Sequence, residues 1–268
     1  MIDIHCHLLP GIDDGPATPE AAMALAHALV EDGITHVVCT PHVFPGRFEN
    51  RRSSIGEDFI KFTQLLQHAG LPLDLLWAGE VRLTPEVLDL LPLHELPFLG
   101  QDAGRKFMLL EMPDGQIPLG AAQFVRRLMA AGIRPVIAHP ERNRMVMDQP
   151  ERMQGLVEEG CALQLTAGAL MGDFGPRART AARALMDAGW VQAVASDAHN
   201  LGGRRPRMKA AALWLTENYG AEVAHRLTVQ GPASLCAHNL FTNSGGIPAQ
   251  APRLKSGLPG VTTHQPPS

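Results

Sequence analysis

Seven times between residue 1 and about residue 240, a run of four to six apolar residues gives way to a longer stretch rich in Ala and Leu. The runs occupy 1–4, 35–40, 73–78, 106–110, 134–138, 161–165 and 190–195, and Val, Ile and Leu dominate them. Strands this short and this apolar are buried on both faces, as strands of a parallel sheet are. The stretches 19–32, 119–131 and 177–188 have helical apolar spacing and stop at Gly33, Gly132 and Gly189. A glycine just past the last turn is the usual helix terminator. Thr18 and Pro19 supply an N-cap and a first-turn proline for the first helix. Strand–helix alternation predicts an α/β fold with a parallel sheet and right-handed crossovers. Seven such units in one chain predict a TIM-like barrel rather than two domains.

The barrel domain is expected to span 1–242. Residues 243–268 are dense in Gly, Pro, Ser and Gln, too poor in apolar surface to offset ordering entropy, and are expected to form a disordered tail. A net charge of -4 argues against a nucleic-acid partner, which would call for a surplus of Lys and Arg. The opening MIDIHCHLLPG has no basic segment leading into an apolar one, and no apolar run nears the roughly 20 residues of a membrane span. The expectation is a cytoplasmic protein that is not membrane-embedded. Cys6, Cys39, Cys161 and Cys236 are widely spaced and read as small buried residues.

Six of the seven runs end in or just before a residue able to bind a metal. His5 and His7 follow the first, His42 the second, Glu80 the third and Glu111 the fourth; His139 follows the fifth, and Asp197 with His199 the last. In a parallel barrel the C-terminal strand ends share one mouth, so these eight residues are expected to meet there. His5-x-His7 on a strand puts both imidazoles on one face and Cys6 on the other. His68, His94, His225 and His238 lie in helical or connecting text and read as ordinary histidines. Mixed imidazole and carboxylate ligation suits Mn, Fe, Co or Zn, and eight ligands suit two or three ions. Paired ions can activate a water and hold the oxygens of a phosphoryl group. Arg142 and Arg205 are the expected phosphate-binding pair, with Arg204 beside the latter. The Asp13–Asp14–Gly15–Pro16 turn offers a further carboxylate. FENRR at 48–52 reads as the solvated start of a helix.

The segments MIDIHCHLLPGIDDGP, CTPHVFPGRFEN, Gly79–Glu80, LLEMP, IAHPERN and ASDAHN, in this order, resemble the PHP (polymerase and histidinol phosphatase) family. More closely, they look like its bacterial CpsB/YwqE-type metal-dependent protein tyrosine phosphatases of capsule and exopolysaccharide operons. The resemblance implies a distorted TIM-like (β/α)7 barrel and a manganese site of three ions. One ion would take His5, His7, Glu80 and Asp197; a second Glu80, Glu111 and His139; a third Asp14, His42 and His199. It implies that Arg142 and either Arg204 or Arg205 contact phosphate. It also implies a phosphotyrosine-bearing kinase of polysaccharide assembly as partner. A metal-bridging hydroxide would attack phosphorus directly, with Asp197 or His199 assisting proton transfer.

Three rival readings are distinguishable. A cysteine-based tyrosine phosphatase has Arg six residues after its nucleophile, but those positions here hold Ile12, Pro45, Ala167 and Thr242. A small-molecule phosphatase such as histidinol phosphate phosphatase, or a nuclease, would share the metal cluster, and only substrate comparison separates it. A non-enzymatic metal-holding barrel would have lost ligands, and none of the expected ones is missing.

Overall fold

A computed structural model describes residues 1–237 and Asn239. The expected tail at 243–268, the domain's last residues 240–242 and His238 lie outside the described residues.

Every apolar run expected to be a strand is one: β1 (Ile2–Cys6), β2 (His36–Cys39), β4 (Asp74–Trp77), β7 (Arg105–Glu111), β8 (Ile133–Ala138), β9 (Ala162–Thr166) and β10 (Val191–Ala195). Three short strands were not foreseen: β3 (His42–Val43), β5 (Glu80–Arg82) and β6 (Gly100–Asp102). The helices are α1 (Pro19–Glu31), α2 (Arg52–Ala69), α3 (Ala121–Ala130), α4 (Arg144–Asp148), α5 (Gln154–Glu158), α6 (Ala167–Met171), α7 (Gly175–Asp187) and α8 (Met208–Tyr219), followed by short turns of helix to Leu235. Thr18 caps α1 by accepting from the Ala21 N–H, and the chain after α1, α3 and α7 turns at Gly33, Gly132 and Gly189, all with positive φ.

The strands form two sheets rather than one continuous ring. The first has the order β1-β2-β4; the second runs β10-β9-β8-β7-β5-β3, with β6 antiparallel on β7 and every other pairing parallel. The sheets meet where Cys6 bridges Ala198 and Asp197 N–H donates to His5 O at 2.8 Å. The break on the other side has a local cause. After β2 the chain passes Pro41, which has no N–H for a ladder, and resumes as β3 in the second sheet. After β4 it bends at Gly79, where an added Cβ would lie 2.5 Å from Pro97 Cγ and 2.9 Å from Val43 Cγ2, and resumes as β5. These two switches place His42 and Glu80 at the first residues of strands in the second sheet.

Two apolar clusters flank the strands. One, with Ile2, Ile4, Val38, Leu76, Leu109, Val136 and Ala193, is joined by Leu235 and Cys236 near the chain end. The other packs Val37, Met108, Ile137, Leu163 and Val194 with Leu25, Leu128 and Leu185 of the helices. Strands β1 and β9 are buried along their whole length, their polar Asp3, His5 and Gln164 included.

Candidate metal centre

The C-terminal ends of the longer parallel strands, and the starts of β3 and β5 that follow β2 and β4, deliver the expected donors to one place. His5 lies on β1 with His7 just beyond it; His42, Glu80 and Glu111 lie on β3, β5 and β7; His139 follows β8, and Asp197 with His199 follow β10. All but His42 are buried. Strand β9 brings no metal donor, yet its Gln164 is buried against His5. Cys6 packs in the helix-side cluster, away from the imidazoles that flank it in sequence.

His5 and His7 show what the arrangement demands. His5 Nδ1–H donates to Gln164 Oε1 at 2.8 Å, and His7 Nδ1–H donates to Asp13 Oδ2 at 2.7 Å. With Nδ1 protonated, each neutral ring turns a lone pair outward at Nε2. Those two Nε2 atoms lie 3.2 Å apart, and each is 3.3–3.4 Å from Glu80 Oε2 and from Asp197 Oδ1. Lone pairs facing carboxylates repel unless a positive charge lies between them. Donors spaced this way match ligands sharing an ion through bonds of about 2.1 Å.

The remaining donors extend the cluster in both directions. Asp14 Oδ1 is 3.3 Å from His42 Nε2 and 3.2 Å from His199 Nε2, and His7 joins these three in one group of potential ligands. Glu80 groups with His42 and Glu111, and His139 with His5 and Asp197. His139 Nε2 is 2.7 Å from Glu80 Oε1, so the Glu80 carboxylate has one oxygen toward His139 and the other toward His5, His7 and His42. The groups overlap and cross the three ligand sets that the resemblance implies.

The donor set fits divalent cations on a second count. His42 Nδ1, Asp197 Oδ1 and His199 Nε2 are buried and make no hydrogen bond. Such atoms are costly to bury unless something else satisfies them. The electrostatics agree. Burial pulls the His5 and His7 imidazoles down, yet Glu80 and Asp197 carry His5 above its ordinary value, and Asp13 carries His7 well above. Against burial, Asp14 and Glu80 lift His42 to about 9. His199, desolvated and beside His7, is pushed down to about 4. Burial raises the Asp197 and Glu80 carboxyls, but His5 and its neighbours hold both well below the carboxylate range. Burial and the nearby Glu80 push Glu111 up. The pocket attracts positive charge, as a cation site must. Nitrogen and oxygen donors together suit Mn, Fe, Co or Zn.

Backbone strain marks two of the donors. His139 has φ 31° and Asp197 has φ 50°, left-handed values uncommon outside glycine. Such conformations concentrate where the surrounding structure fixes a functional side chain.

Arg142 reaches the cluster as expected. Its Nη1 donates to Asp197 Oδ2, and its guanidinium lies 4.5 Å from the Phe174 ring centre. For the second arginine, preferred as Arg205 with Arg204 left open, the geometry favours Arg204. Arg204, not Arg205, reaches the cluster: its Nη2 donates to Asp197 Oδ2 at 2.6 Å and its Nη1 lies 3.6 Å from Asp14 Oδ2. Asn200 Oδ1 accepts from Gly202 N–H and Arg204 N–H, and Arg204 O accepts from His199 N–H at 2.9 Å. That turn folds Arg204 back over the donors and leaves Arg205 exposed.

Sequence reasoning missed the supporting residues. Asp13, treated as a possible ligand of the turn, accepts instead from His7 Nδ1–H, from His42 N–H at 3.1 Å and from Gly15 N–H at 2.9 Å. Gly15 is required there, since a Cβ would sit 2.5 Å from His7 O. Asp3 accepts from Ser196 Oγ–H and from the Ser196 and His5 amides, tying β1 to the Asp197 loop. Burial pushes its carboxyl up to about 6. Arg82 places Nη1 2.8 Å from Glu111 Oε2, and the Phe48 ring stacks on His42 at 5.2 Å. One signal was readable: Asp3 is an acid inside an apolar run, which implies a buried partner.

Residues 1–237 match the family described as capsular polysaccharide synthesis, CpsB/CapC. The chain is 35% identical over 241 residues to tyrosine-protein phosphatase YwqE of Bacillus subtilis, covering 90% of this chain and 94% of that protein. It is 30% identical over 240 residues to tyrosine-protein phosphatase CpsB of Streptococcus agalactiae, covering 88% and 98%. Its fold superposes with a TM-score of 0.82 and 33% identity on a crystal structure from work on YwqE of Bacillus subtilis and CpsB of Streptococcus pneumoniae, presented as unique metal-dependent tyrosine phosphatases. That match covers 94% of this chain and all of the other. A donor cluster at the strand ends and a match along nearly every described residue lead to one assignment: the chain belongs to the CpsB/CapC family of capsular polysaccharide synthesis.

Proposed function

We propose that this protein is a metal-dependent phosphomonoesterase that removes phosphate from protein phosphotyrosine in capsular or exopolysaccharide biosynthesis. It falls within the broader PHP grouping, and a tyrosine kinase of polysaccharide assembly is the partner we propose. The observation that carries this reading is the meeting of His5, His7, Glu80 and Asp197 within 3.4 Å contacts, with Arg142 and Arg204 bonded to the same aspartate. His5, His7, Asp14, His42, Glu80, Glu111, His139, Asp197 and His199 would hold two or three divalent ions, Mn first. Bound ions would supply an activated water as nucleophile and Lewis acidity toward the phosphoryl oxygens.

The chain's own residues do the rest. Arg142 and Arg204 present guanidinium groups that neutralise charge on the phosphoryl oxygens as the ester bond breaks. Asp197 holds both in place. His199 Nδ1–H donates to Asp197 O at 3.0 Å, which aims its Nε2 at the donor cluster. The four buried cysteines are free and take no part, and a reducing cytoplasm suits them. No helix among the described residues is long and apolar enough to cross a membrane.

Turnover of a phosphotyrosyl peptide and of histidinol phosphate, before chelation, after it and after Mn return, tests the proposal. We expect peptide turnover to vanish on chelation and return with Mn, and to exceed that of histidinol phosphate. Faster cleavage of histidinol phosphate would assign the protein to the small-molecule branch, and turnover that survives full chelation would remove the metals from the chemistry.

A further inference from the structure

Beside the cluster the surface opens into a cavity of 340 Å³. Met112 and Met147 line it, Arg144 and Arg177 stand at its side, and His139 and Arg142 belong to both the cavity and the cluster. The two spaces are therefore adjacent: His139 Nε2 is 2.7 Å from Glu80 Oε1, and Arg142 donates to Asp197.

The charge around this cavity is unevenly compensated. Arg142 is committed to Asp197. The exposed Arg144 side chain has no ion pair among the described residues. Arg177 pairs with Asp148, whose side chain is 61% exposed, so solvent screens that contact. Asp114 also borders the space, with its carboxylate 3.5 Å from Arg82 Nη1. The cavity thus offers one guanidinium group without an ion pair, Arg144, and a second, Arg177, held only by a solvent-screened pair, above thioether walls that accommodate a short aliphatic stem.

We propose that this cavity is a specificity subsite that receives an acidic side chain of a peptide substrate, one or two residues from the phosphotyrosine. The inference rests on the phosphotyrosine reading above and names the sequence context it selects. An extended peptide advances about 3.5 Å per residue, so a neighbouring residue falls within reach of a space that shares two side chains with the reaction centre. Guanidinium groups match a carboxylate better than a neutral amide, which accepts less strongly and carries no charge.

Three substrates separate the outcomes, each assayed with Mn: a phosphotyrosyl peptide with Glu at the two positions on either side, the same peptide with Gln there, and p-nitrophenyl phosphate. A fourth peptide, with the Glu residues moved six positions away, controls for net charge. The proposal predicts a kcat/KM about fivefold higher for the flanking-Glu peptide, carried by KM and shrinking as salt rises. In the Arg144→Ala/Arg177→Ala variant the ratio falls to about one, while p-nitrophenyl phosphate turnover is unchanged. Equal rates on the flanking-Glu and Gln peptides, or an equal gain from distant Glu residues, would overturn the subsite and leave the phosphatase reading intact. Failure to cleave any of the four would overturn the phosphatase reading and the subsite with it.

Discussion

The two nitrogens of a buried imidazole have separate tasks, and His7 shows both. Nδ1 is held by Asp13 at 2.7 Å, which fixes the tautomer and aims Nε2 at the carboxylates. Partners of this kind set the orientation and basicity of a metal ligand. Replacing Asp13 by Ala should weaken metal binding about 10- to 100-fold while leaving the far-ultraviolet circular dichroism unchanged. Equal affinity in a metal titration of variant and wild type would show that His7 needs no such support. The two arginines make a sharper pair. Arg204→Ala should lower kcat on a phosphotyrosyl peptide about 100-fold, as loss of a charge-stabilising donor does. Arg205→Ala should stay within about twofold, because its exposed side chain touches nothing at the site. The opposite ranking would mean that the loop rearranges when substrate binds. The donors themselves were legible in the sequence because they sit at fixed places after apolar runs. The roles of Asp13 and Gln164, and the choice between Arg204 and Arg205, were not, since they depend on how the chain folds back, which leaves no periodic trace.

At the scale of elements, the strands carry the argument and the breaks between them decide where donors land. All seven long runs were readable because apolar residues dominate them, although β4 is buried only at Leu76 and β1 and β9 carry buried polar residues. The short strands β3 and β5 were not, because two or three residues hold no periodicity. Their placement rests on local sterics at Pro41 and Gly79. Gly79→Ala would push a methyl against Pro97 Cγ and Val43 Cγ2, at 2.5 and 2.9 Å. Urea denaturation of the metal-free protein should show a loss of about 1–3 kcal/mol, the usual cost of overpacking. An unchanged midpoint would mean that the bend has slack and that Glu80 is placed by something else.

For the whole molecule, sequence alternation foretold parallel α/β architecture but not its division into two sheets joined at β1 and β10. Hydrogen-bond partners across sheets are set by tertiary packing, which alternation does not encode. The same packing brings residues from position 5 to position 204 into one pocket, so anything that binds there ties distant strands together. Metal should therefore stabilise the fold. A site with free ion at 100 times its Kd contributes about 2.7 kcal/mol, and chelation should lower the unfolding midpoint accordingly. A midpoint indifferent to chelation would mean that the donors hold no ion in the folded state.

The count of divalent ions per chain, by elemental mass spectrometry on protein purified with Mn and desalted, tests the central claim most directly. The geometry predicts about two or three ions per chain, with at least one lost in His5→Ala. A stoichiometry below one, in protein shown to be folded, would contradict it.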